Sequence, residues 1–409
     1  MSPQGPLYLD WAATSPPDTQ ILEECLNLSF HSFGNPSSAH SEGKKARSLL
    51  EESRALLATA IEASGKAGLR RQGTKPSGKI IFTGSGTEAD QIPLLAVLRT
   101  ALSKPAVLKD CHIVVSAIEH PAVFAQAKLL EQLGIRLTLV KPEADGRVSP
   151  EKIQAALCPQ TRLVAVMAVN NETGAVQDIE EIGRAVQKTK HSLGSRDILF
   201  HVDCVQALGK LRFSLDPAFV GSAAFSAHKV GGPRGVGALW LSKSMEALGI
   251  GGGQEDGLRS GTENLFGALA FARCAAKATE NLDERLDRAR SLETTLIEGI
   301  RQIPGAQILP ENRKPGDQGF SPWILSAAFP GLGGEVLARA LSDAGIAVST
   351  GSACSHLERK KGHRVLDAMG SPQEYSFSSI RISTGDTTCP EDIDYFLSTC
   401  ADLYRRLKT

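Results

Sequence analysis

The sequence carries no excess of charge of either sign. Its 409 residues include 45 lysines and arginines against 45 aspartates and glutamates, which gives a formal net charge of +0 at pH 7. A balanced chain has no overall basic field with which to attract nucleic acid or an anionic membrane surface, so we expect neither as a partner. We therefore expect the protein to act on small molecules.

Long apolar segments are also missing. No apolar run approaches the roughly 20 residues that span a bilayer, and residues 1–6, MSPQGP, lack the charged and apolar regions of a signal peptide. The cysteines stand at positions 25, 111, 158, 204, 274, 354, 389 and 400, with neither a C-x-x-C pair nor the spacing of zinc ligands. These absences predict a cytoplasmic protein with reduced cysteines and no metal site.

Short apolar runs alternate with helical patterns through the first two thirds of the chain. The runs predict strands at residues 79–83, 113–116, 137–140, 163–168, 198–202, 223–225 and 237–241. Such alternation favours an α/β fold whose mostly parallel sheet is covered by helices on both faces. Polar stretches at 64–78 and 188–197 predict surface loops, and residues 263–301 read as a long helical stretch.

A lysine stands between one of these strands and a glycine-dense turn, in Ser226-Ala-His228-Lys229-Val-Gly-Gly-Pro-Arg-Gly. Glycine lets the backbone approach a ligand closely, so the Lys229 amine is placed at a strand end that can form a site. Desolvation and nearby cations make a lysine amine nucleophilic, and His228 adjoins it. The alternative is an ordinary surface lysine before a turn.

An acidic residue ends the preceding apolar run, ILFHVD, at Asp203. Open α/β sheets bind ligands at the C-terminal ends of their strands. Pyridoxal phosphate requires a lysine for its aldehyde and an acidic partner for its pyridinium nitrogen, and Lys229 and Asp203 would supply both from neighbouring strand ends. Without such a ligand, Asp203 is a cap at the end of a strand.

A phosphate site is predicted where strand 79–83 meets a tight turn and a helix, in KIIFTGSGTEAD. Unpaired N–H groups and the positive end of the helix dipole attract anions, so Gly86 and Thr87 are candidate phosphate ligands. Their alternative roles are a βα-turn glycine and a helix N-cap. Further along, Arg381 lies within the apolar strand IRIS, where it needs a carboxylate partner: either a ligand or an aspartate of the chain.

Blocks of sequence spread over nearly the whole chain resemble the class V family of pyridoxal-phosphate enzymes, and within it the cysteine desulfurases of the NifS and IscS type. The matching blocks are, in the family's order, YLDWAAT, NPSSAH, IIFTGSGTEAD, EHPAV, VNNETGAVQDI, HVDCVQALGK, SAHKVGGPRGVGAL, RSGTEN, TGSAC and IRISTG. The resemblance implies fold type I. We expect a large cofactor-binding domain with a mostly parallel seven-stranded sheet at residues 15–262, and a smaller α/β domain at 1–14 and 263–409.

The resemblance also implies roles for individual residues. His120 would stack on the pyridine ring and assist proton transfer, Asn171 and Gln206 would contact its phenolic oxygen, and Ser226 and His228 would join the cofactor site. Thr262 would bind the phosphate of the second subunit's site, which implies a homodimer with shared active sites.

On the substrate side, Asn35 would line the pocket, Arg381 would hold the carboxylate of L-cysteine, and Cys354 would take up its sulfur as a persulfide. The setting of Cys354, among glycine, serine and the cationic residues of SHLERKKGH, favours an accessible, nucleophilic thiolate. A buried, inert cysteine is the alternative. An acceptor protein such as an iron–sulfur scaffold would then receive the sulfur.

The sequence departs from the family pattern at Asp256 and Asp386, where arginine is usual, and in the charged residues after Cys354. These departures leave alternatives open. L-Selenocysteine could be the substrate, as in a selenocysteine lyase. The chain could also be another class V β-lyase or aminotransferase, or a catalytically weakened cofactor-binding scaffold.

Overall fold

The computed structural model describes residues 6–65, 78–102, 110–194, 198–350 and 363–408. The strands in these ranges are β1 (Leu7–Tyr8), β2 (Lys79–Thr83), β3 (His112–Ser116), β4 (Arg136–Val140), β5 (Thr161–Ala165), β6 (Leu199–Asp203), β7 (Ser222–Ser226), β8 (Gly237–Leu241), β9 (Gln307–Leu309), β10 (Ile324–Ala328), β11 (Ile346–Ala347) and β12 (Ser379–Ser383). The helices are α1 (Thr19–Phe30), α2 (Ser41–Ala63), α3 (Gly86–Leu102), α4 (Pro121–Gln132), α5 (Pro150–Ala156), α6 (Ile179–Ser192), α7 (Leu265–Thr279), α8 (Leu282–Arg301), α9 (Gly334–Asp343), α10 (Arg364–Ala368), α11 (Gln373–Phe377) and α12 (Pro390–Leu407).

Seven of the described strands form the large sheet, in the order β2-β8-β7-β6-β5-β3-β4. The pairs from β7 to β4 are parallel, while β8 runs antiparallel to both of its neighbours. The inner strands are buried on both faces because helices cover them, which is why they read as continuous apolar runs. The predicted α/β fold with a mostly parallel seven-stranded sheet is confirmed.

Two of the predicted boundaries are wrong. Helix α6 continues to Ser192, so residues 188–192 are helical although their polar composition predicted a loop. The stretch 263–301 is two helices, because the backbone turns at Asn281, whose φ is 48°, in the left-handed region that ends a helix. The polar composition of a segment indicates that it is exposed to solvent, but it does not indicate where a helix ends.

A second apolar core lies between helices α8, α9 and α12 and the three-stranded sheet β12-β10-β9. The N-terminal arm joins this core through β1, which pairs with β11, and through Leu9. The first apolar core lies along the large sheet. Helix α7, which follows the predicted boundary at residue 262, packs against α1 and α2 of this first core. The predicted division of the chain at residues 15–262 stays a prediction.

None of the helices in the described ranges combines the length and the apolar character needed to cross a bilayer.

Candidate active site

The C-terminal ends of β2, β3, β5, β6 and β7 meet at one edge of the large sheet. Strand β6 ends at Asp203 and β7 ends at Ser226, and these two strands are direct neighbours. Both side chains are buried. Parallel pairing therefore brings Asp203 to the strand end from which the chain continues to Lys229, as the sequence predicts.

Lys229 ends a single turn of 3-10 helix, 227–229, directly after β7. Its Nζ donates to the carbonyl oxygens of Ala12 at 2.6 Å and Ala13 at 2.8 Å. The N-terminal arm thus lies against the amine. The neighbouring His228 accepts or donates at Thr14 Oγ1 over 3.1 Å, and burial followed by the charge of Lys229 lowers the pKa of His228 to about 4. At pH 7, His228 is therefore neutral and is hydrogen-bonded to the N-terminal arm.

Asp203 is an acid whose charge the protein disfavours. Burial, and then the neighbouring carboxylate of Asp90, raise the pKa of Asp203 from 3.8 to about 8. Oδ1 accepts a hydrogen bond from Val205 N at 2.9 Å. At pH 7 the group holds a proton in the protein alone, and a cationic ligand would favour its ionised form.

A buried polar cluster lies behind Asp203. His201, two residues earlier and so on the same face of β6, contacts Asp90 of α3 at 3.1 Å through Nε2 and Ser222 Oγ at 2.9 Å through Nδ1. Glu119 bonds Ser116 and Met167 N, and burial raises the pKa of Glu119 to about 7. Burial lowers the pKa of His201 to about 4, so this ring is neutral. The cluster supplies little positive charge to ionise Asp203.

His120 caps helix α4 from the end of the segment after β3. Nδ1 accepts from Ala122 N at 3.1 Å, so the neutral ring carries its proton on Nε2. Burial, followed by the charges of Lys229, Arg364 and Arg381, lowers the pKa of His120 to about 4. The same charges place His120 within electrostatic reach of both Lys229 and Arg381.

Gln206 lies between the sheet edge and the N-terminal arm. Its Nε2 donates to Ala12 O at 2.8 Å, the carbonyl that Lys229 also contacts. Its Oε1 accepts from Lys210 Nζ at 2.9 Å. Gln206 and Lys229 therefore share one backbone acceptor, as expected of two residues in one site.

Arg381 on β12 is 1% exposed and has a partner within the chain. Its Nη2 contacts Asp10 Oδ1 at 2.7 Å, and its Nη1 donates to the backbone oxygen of Asn171 at 2.9 Å. Its Nε is buried and lacks a hydrogen-bond partner in the part of the chain that the structure describes. The Arg–Asp pair considered from the sequence is thus formed, and one donor still faces no acceptor.

Asn171 is buried beside Arg381, while its neighbour Asn170 shapes the turn. Asn170 Oδ1 accepts from the N–H groups of Glu172 and Thr173, and Asn170 Nδ2 donates to Ile118 O. Because Asn170 satisfies the backbone of this turn, the side chain of Asn171 is left for another role.

Gly86 opens α3 against the ends of β6 and β7. A Cβ built on Gly86 would lie 3.0 Å from Val205 Cγ2 and 3.1 Å from Ser226 Cβ, which is tight contact. Ser85, not Thr87, caps the helix, since its Oγ accepts from Glu88 N at 3.1 Å. Thr87 is exposed in the first turn of α3. The N-cap alternative for Thr87 is therefore wrong, and the first N–H groups of a 17-residue helix remain available to an anion.

Within the described part of the chain, Asn35 and Thr262 form no hydrogen bond or ion pair with the other candidates. Asn35 is exposed and accepts from Ser37 N at 2.9 Å in a turn. Thr262 is exposed in the glycine-rich segment before α7. Their assigned roles in the substrate pocket and across a subunit interface stay predictions.

Cys354 lies outside the residues that the structure describes, but both flanks of its segment are described. Before it, Ser349 pairs with Arg381, with N···O distances of 3.2 and 2.6 Å. After it, Arg364 donates to the backbone oxygens of Ala117 and Glu119. Its guanidinium also stacks on the phenyl ring of Phe124. The described residues on the two sides of Cys354 therefore lie beside Arg381 and beside the carbonyl that precedes His120.

Asp256 and Asp386, the two acids at which the sequence is expected to depart from the family pattern, have cationic partners. Asp256 pairs with Lys79, and Asp386 pairs with Arg285 through both oxygens, each at 2.9 Å. Arg285 also donates to Gly209 O at 2.9 Å. Both charge reversals are thus locally neutralised. Asp386 lines, with Lys229 and Lys210, a cavity of about 620 Å³ between the arm and helix α8.

The donor set fits pyridoxal phosphate. A buried acid, an amine, a neutral imidazole with its proton on Nε2 and a helix N-terminus match the ring nitrogen, aldehyde, ring face and phosphate of that group. At the start of the helix, a side chain on Gly86 would be in tight contact with Val205 and Ser226, so the glycine keeps space for a ligand there. Among the described residues, no cluster of histidine, cysteine and acidic side chains could hold a metal ion.

Sequence reasoning missed Lys210, Arg364, Asp10 and the pair Asp90 and His201. Their functional contacts join segments far apart in the chain, and no local pattern indicates them. Lys210 carried one signal: it follows Gln206 by four residues in the HVDCVQALGK block.

Known proteins resemble this chain over nearly its full length. The family model for class-V aminotransferases matches residues 7–396. A cysteine desulfurase IscS of Anaeromyxobacter dehalogenans is 35% identical, covering 98% of this chain and 93% of its own, and one of Shewanella piezotolerans is 35% identical with coverages of 98% and 94%. A solved NifS-like protein has a TM-score of 0.84 at 34% identity, with 98% of this chain and 100% of its own aligned.

Proposed function

The chain belongs to the class-V aminotransferase family, and from this premise we propose how its residues convert L-cysteine to L-alanine with transfer of sulfur to Cys354. It is an enzyme, a pyridoxal-phosphate-dependent cysteine desulfurase. The observation that carries the assignment of residues is the convergence of Lys229, Asp203 and His120 at one sheet edge, beside both flanks of the segment that contains Cys354.

Pyridoxal phosphate, when bound, withdraws electrons from the carbon atoms of the amino acid and so allows the bond from carbon to sulfur to break. Asp203 would hold a proton at the ring nitrogen. Because burial raises the pKa of Asp203 to about 8, the protein alone keeps a proton on this group near neutral pH. Ser226, His228 and the N-terminus of α3 at Gly86 and Thr87 would bind the phosphate.

Lys229 would hold the aldehyde of the cofactor, and its amine would move protons at the α-carbon of the substrate. His120 is neutral because burial and nearby cations lower its pKa to about 4, so its Nε2–H group is a donor that could assist these proton transfers. Asn171 and Gln206 would contact the phenolic oxygen of the cofactor.

Arg381 and Asn35 hold the substrate. The guanidinium already bonds Asp10 and the backbone of Asn171, and its buried Nε has no partner within the described residues. A substrate carboxylate at Arg381 would satisfy that donor and compete with Asp10 for Nη2. The structure of Arg381 thus supports either ion pair, one in the free protein and one in the complex.

Cys354 takes up the sulfur. Its thiolate attacks the sulfur of the bound L-cysteine, the bond from carbon to sulfur breaks, and that electron pair stays with carbon, which gains a proton. The products are L-alanine and a persulfide on Cys354, so every atom is accounted for. A sulfur-acceptor protein, such as an iron–sulfur scaffold, would then take the terminal sulfur.

We further propose a homodimer in which Thr262 of each subunit completes the phosphate site of the other. Its exposure in the single chain supports this role, as does the absence of contact between Thr262 and the described site residues. The cytoplasm stays the predicted compartment.

The decisive test uses purified protein reconstituted with pyridoxal phosphate. The wild type should show the visible absorbance band of lysine-bound cofactor and release alanine from L-cysteine. Lys229→Ala should lose the band. Cys354→Ala should keep it and release no alanine.

Three other outcomes each contradict part of the proposal. Turnover of L-selenocysteine alone would indicate a lyase, and a band without turnover of either substrate would favour another class V enzyme or a scaffold. Absence of the band would refute the cofactor site.

A further inference from the structure

We propose that Lys210 is a positioning residue of this site, which fixes the side-chain amide of Gln206 and sets a second positive charge beside Lys229. The inference rests on the proposed function only in taking Gln206 and Lys229 as contacts of the cofactor. Lys210 itself bonds Gln206, and it is not proposed to contact the cofactor.

A chain of hydrogen bonds connects the two lysines. Lys210 Nζ donates to Gln206 Oε1 at 2.9 Å, Gln206 Nε2 donates to Ala12 O at 2.8 Å, and Lys229 Nζ donates to the same Ala12 O at 2.6 Å. An ammonium group has only donors and a carbonyl only accepts. The positions of the oxygen and the nitrogen of the Gln206 amide are therefore determined. The second N–H bond of Nε2 points away from Ala12 O.

Two residues far along the chain fix the backbone at Lys210: Trp323, which directly precedes β10, and Arg285 of α8. Trp323 Nε1 donates to Lys210 O at 2.9 Å, and Arg285 Nη1 donates to Gly209 O at 2.9 Å. Gly209 has φ of +67°, a conformation that suits glycine. Lys210 is only 8% exposed, so the chain buries a cation at this point without a directly bonded carboxylate among its described hydrogen bonds and ion pairs.

Burial and the surrounding charges together change the pKa of Lys210. Desolvation and then the charge of Lys229 lower the pKa of Lys210 to about 7, with smaller lowering effects from Arg381 and Arg285, while Asp386 acts in the opposite direction. Lys210 and Lys229 therefore act on each other electrostatically. A protein gains nothing in stability from two repelling amines, which favours a role in the site.

The test compares reconstituted Lys210→Met with Lys210→Arg, which keeps the charge and the donor. The matched control is Lys277→Met, because Lys277 lines the same cavity but is exposed and bonded to Asp18. The visible band of the lysine-bound cofactor is followed against pH. We expect its midpoint to rise in Lys210→Met by up to about one pH unit, because the positive charge that Lys210 carries below about pH 7 is lost. Lys210→Arg and Lys277→Met should stay near the wild type.

A second measurement needs no cofactor. Acetylation of Lys229 by acetic anhydride near neutral pH is followed by mass spectrometry in the cofactor-free protein. Without the neighbouring charge a larger share of Lys229 is protonated, so labelling should be about threefold slower or more in Lys210→Met. If the wild type shows no band, the proposed function fails, but this labelling rate still decides the role of Lys210.

An unchanged band midpoint together with an unchanged labelling rate, in a Lys210→Met protein that folds, would overturn the inference. Where no band forms, an unchanged labelling rate alone would do so. Should Lys210→Met not fold, Lys210→Gln takes its place in both measurements, because it keeps a donor and carries no charge.

Discussion

At Asp203 the fold raises the proton affinity of a carboxyl group in preparation for a cationic partner. Desolvation acts first and Asp90 second, so the group is neutral at pH 7 in the protein alone. An ionised carboxylate is what stabilises a protonated pyridine ring. Cofactor binding must therefore supply the interaction energy that ionises Asp203.

Replacing this acid tests both effects. The unfolded chain releases the Asp203 proton near pH 4, whereas the folded, cofactor-free protein keeps it until about pH 8. Stability from this group therefore falls as pH rises through that window. Asp203→Asn should raise the melting temperature of the cofactor-free protein relative to wild type by about 2–4 °C more at pH 8 than at pH 5. It should also lower turnover at least about a hundredfold.

The exposed Asp343→Asn variant is the control for this melting experiment, because Asp343 lies on the surface at the end of α9. An Asp203→Asn protein whose difference from wild type is the same at both pH values would contradict the expected ionisation.

Among the elements, the junction of β2 and α3 leaves little space for a side chain at Gly86. Helix α3 starts where β6 and β7 end, so Gly86 touches both Val205, which bonds Asp203, and Ser226. A methyl group there would press on Ser226, a proposed contact of the cofactor, and on Val205, whose N–H group bonds Asp203. The glycine serves close approach, since its φ lies outside the left-handed region.

Gly86→Ala should weaken pyridoxal phosphate binding about tenfold, while the protein still folds, because neighbours must move by a few tenths of an ångström. Gly249→Ala is the matched control: the added methyl group meets no atom within 4 Å. Cofactor titration by fluorescence measures both. Equal affinities in the two variants would show that the junction has room to spare.

The sequence predicted this junction and the strand ends because both follow local rules, the alternation of apolar runs and the glycine turn. It could not predict that Arg381 pairs with Asp10, a contact across 371 positions. Nor could it show that Lys210 reaches Gln206 or that Arg364 bonds the carbonyl of Glu119. Such contacts depend on how separate elements pack, and no period or spacing in the chain encodes them.

Across the whole molecule, one guanidinium ties the two cores together. Arg313 is fully buried, contacts Glu293 of α8 at 2.6 Å, and donates to the backbone oxygens of Thr173, Ser321 and Ile324. Thr173 belongs to the turn that carries Asn171. The pair therefore links helix α8 to a segment that borders the site.

Arg313→Met should lower the free energy of unfolding by about 3–5 kcal/mol, because it leaves Glu293 buried without its cation and three carbonyls without a donor. Denaturant unfolding measures the loss. Arg290→Met, which removes an exposed pair with Asp287, should change the value by about 0.5 kcal/mol or less. Similar losses in the two variants would refute the structural role of Arg313.

The proposed dimer makes a prediction of its own at this scale. Lys229→Ala and Thr262→Ala should each be inactive alone. Co-expressed chains that pair at random form mixed dimers in half of cases, and each mixed dimer has one intact site, so about a quarter of wild-type activity should return. No recovery in verified mixed dimers would show that Thr262 serves its own subunit.

The N-terminal arm is synthesised before the two cores that the structure describes, but it is fixed in the fold among their last elements. Its strand β1 can pair only after β11, at residues 346–347, has been synthesised. Asp10 likewise requires β12, at residues 379–383. A nascent chain shorter than this already contains His120, Asp203 and Lys229 but lacks the carbonyls of Ala12 and Ala13 in place. We expect stable capture of the cofactor only after residues 379–383 have been translated and have left the ribosome.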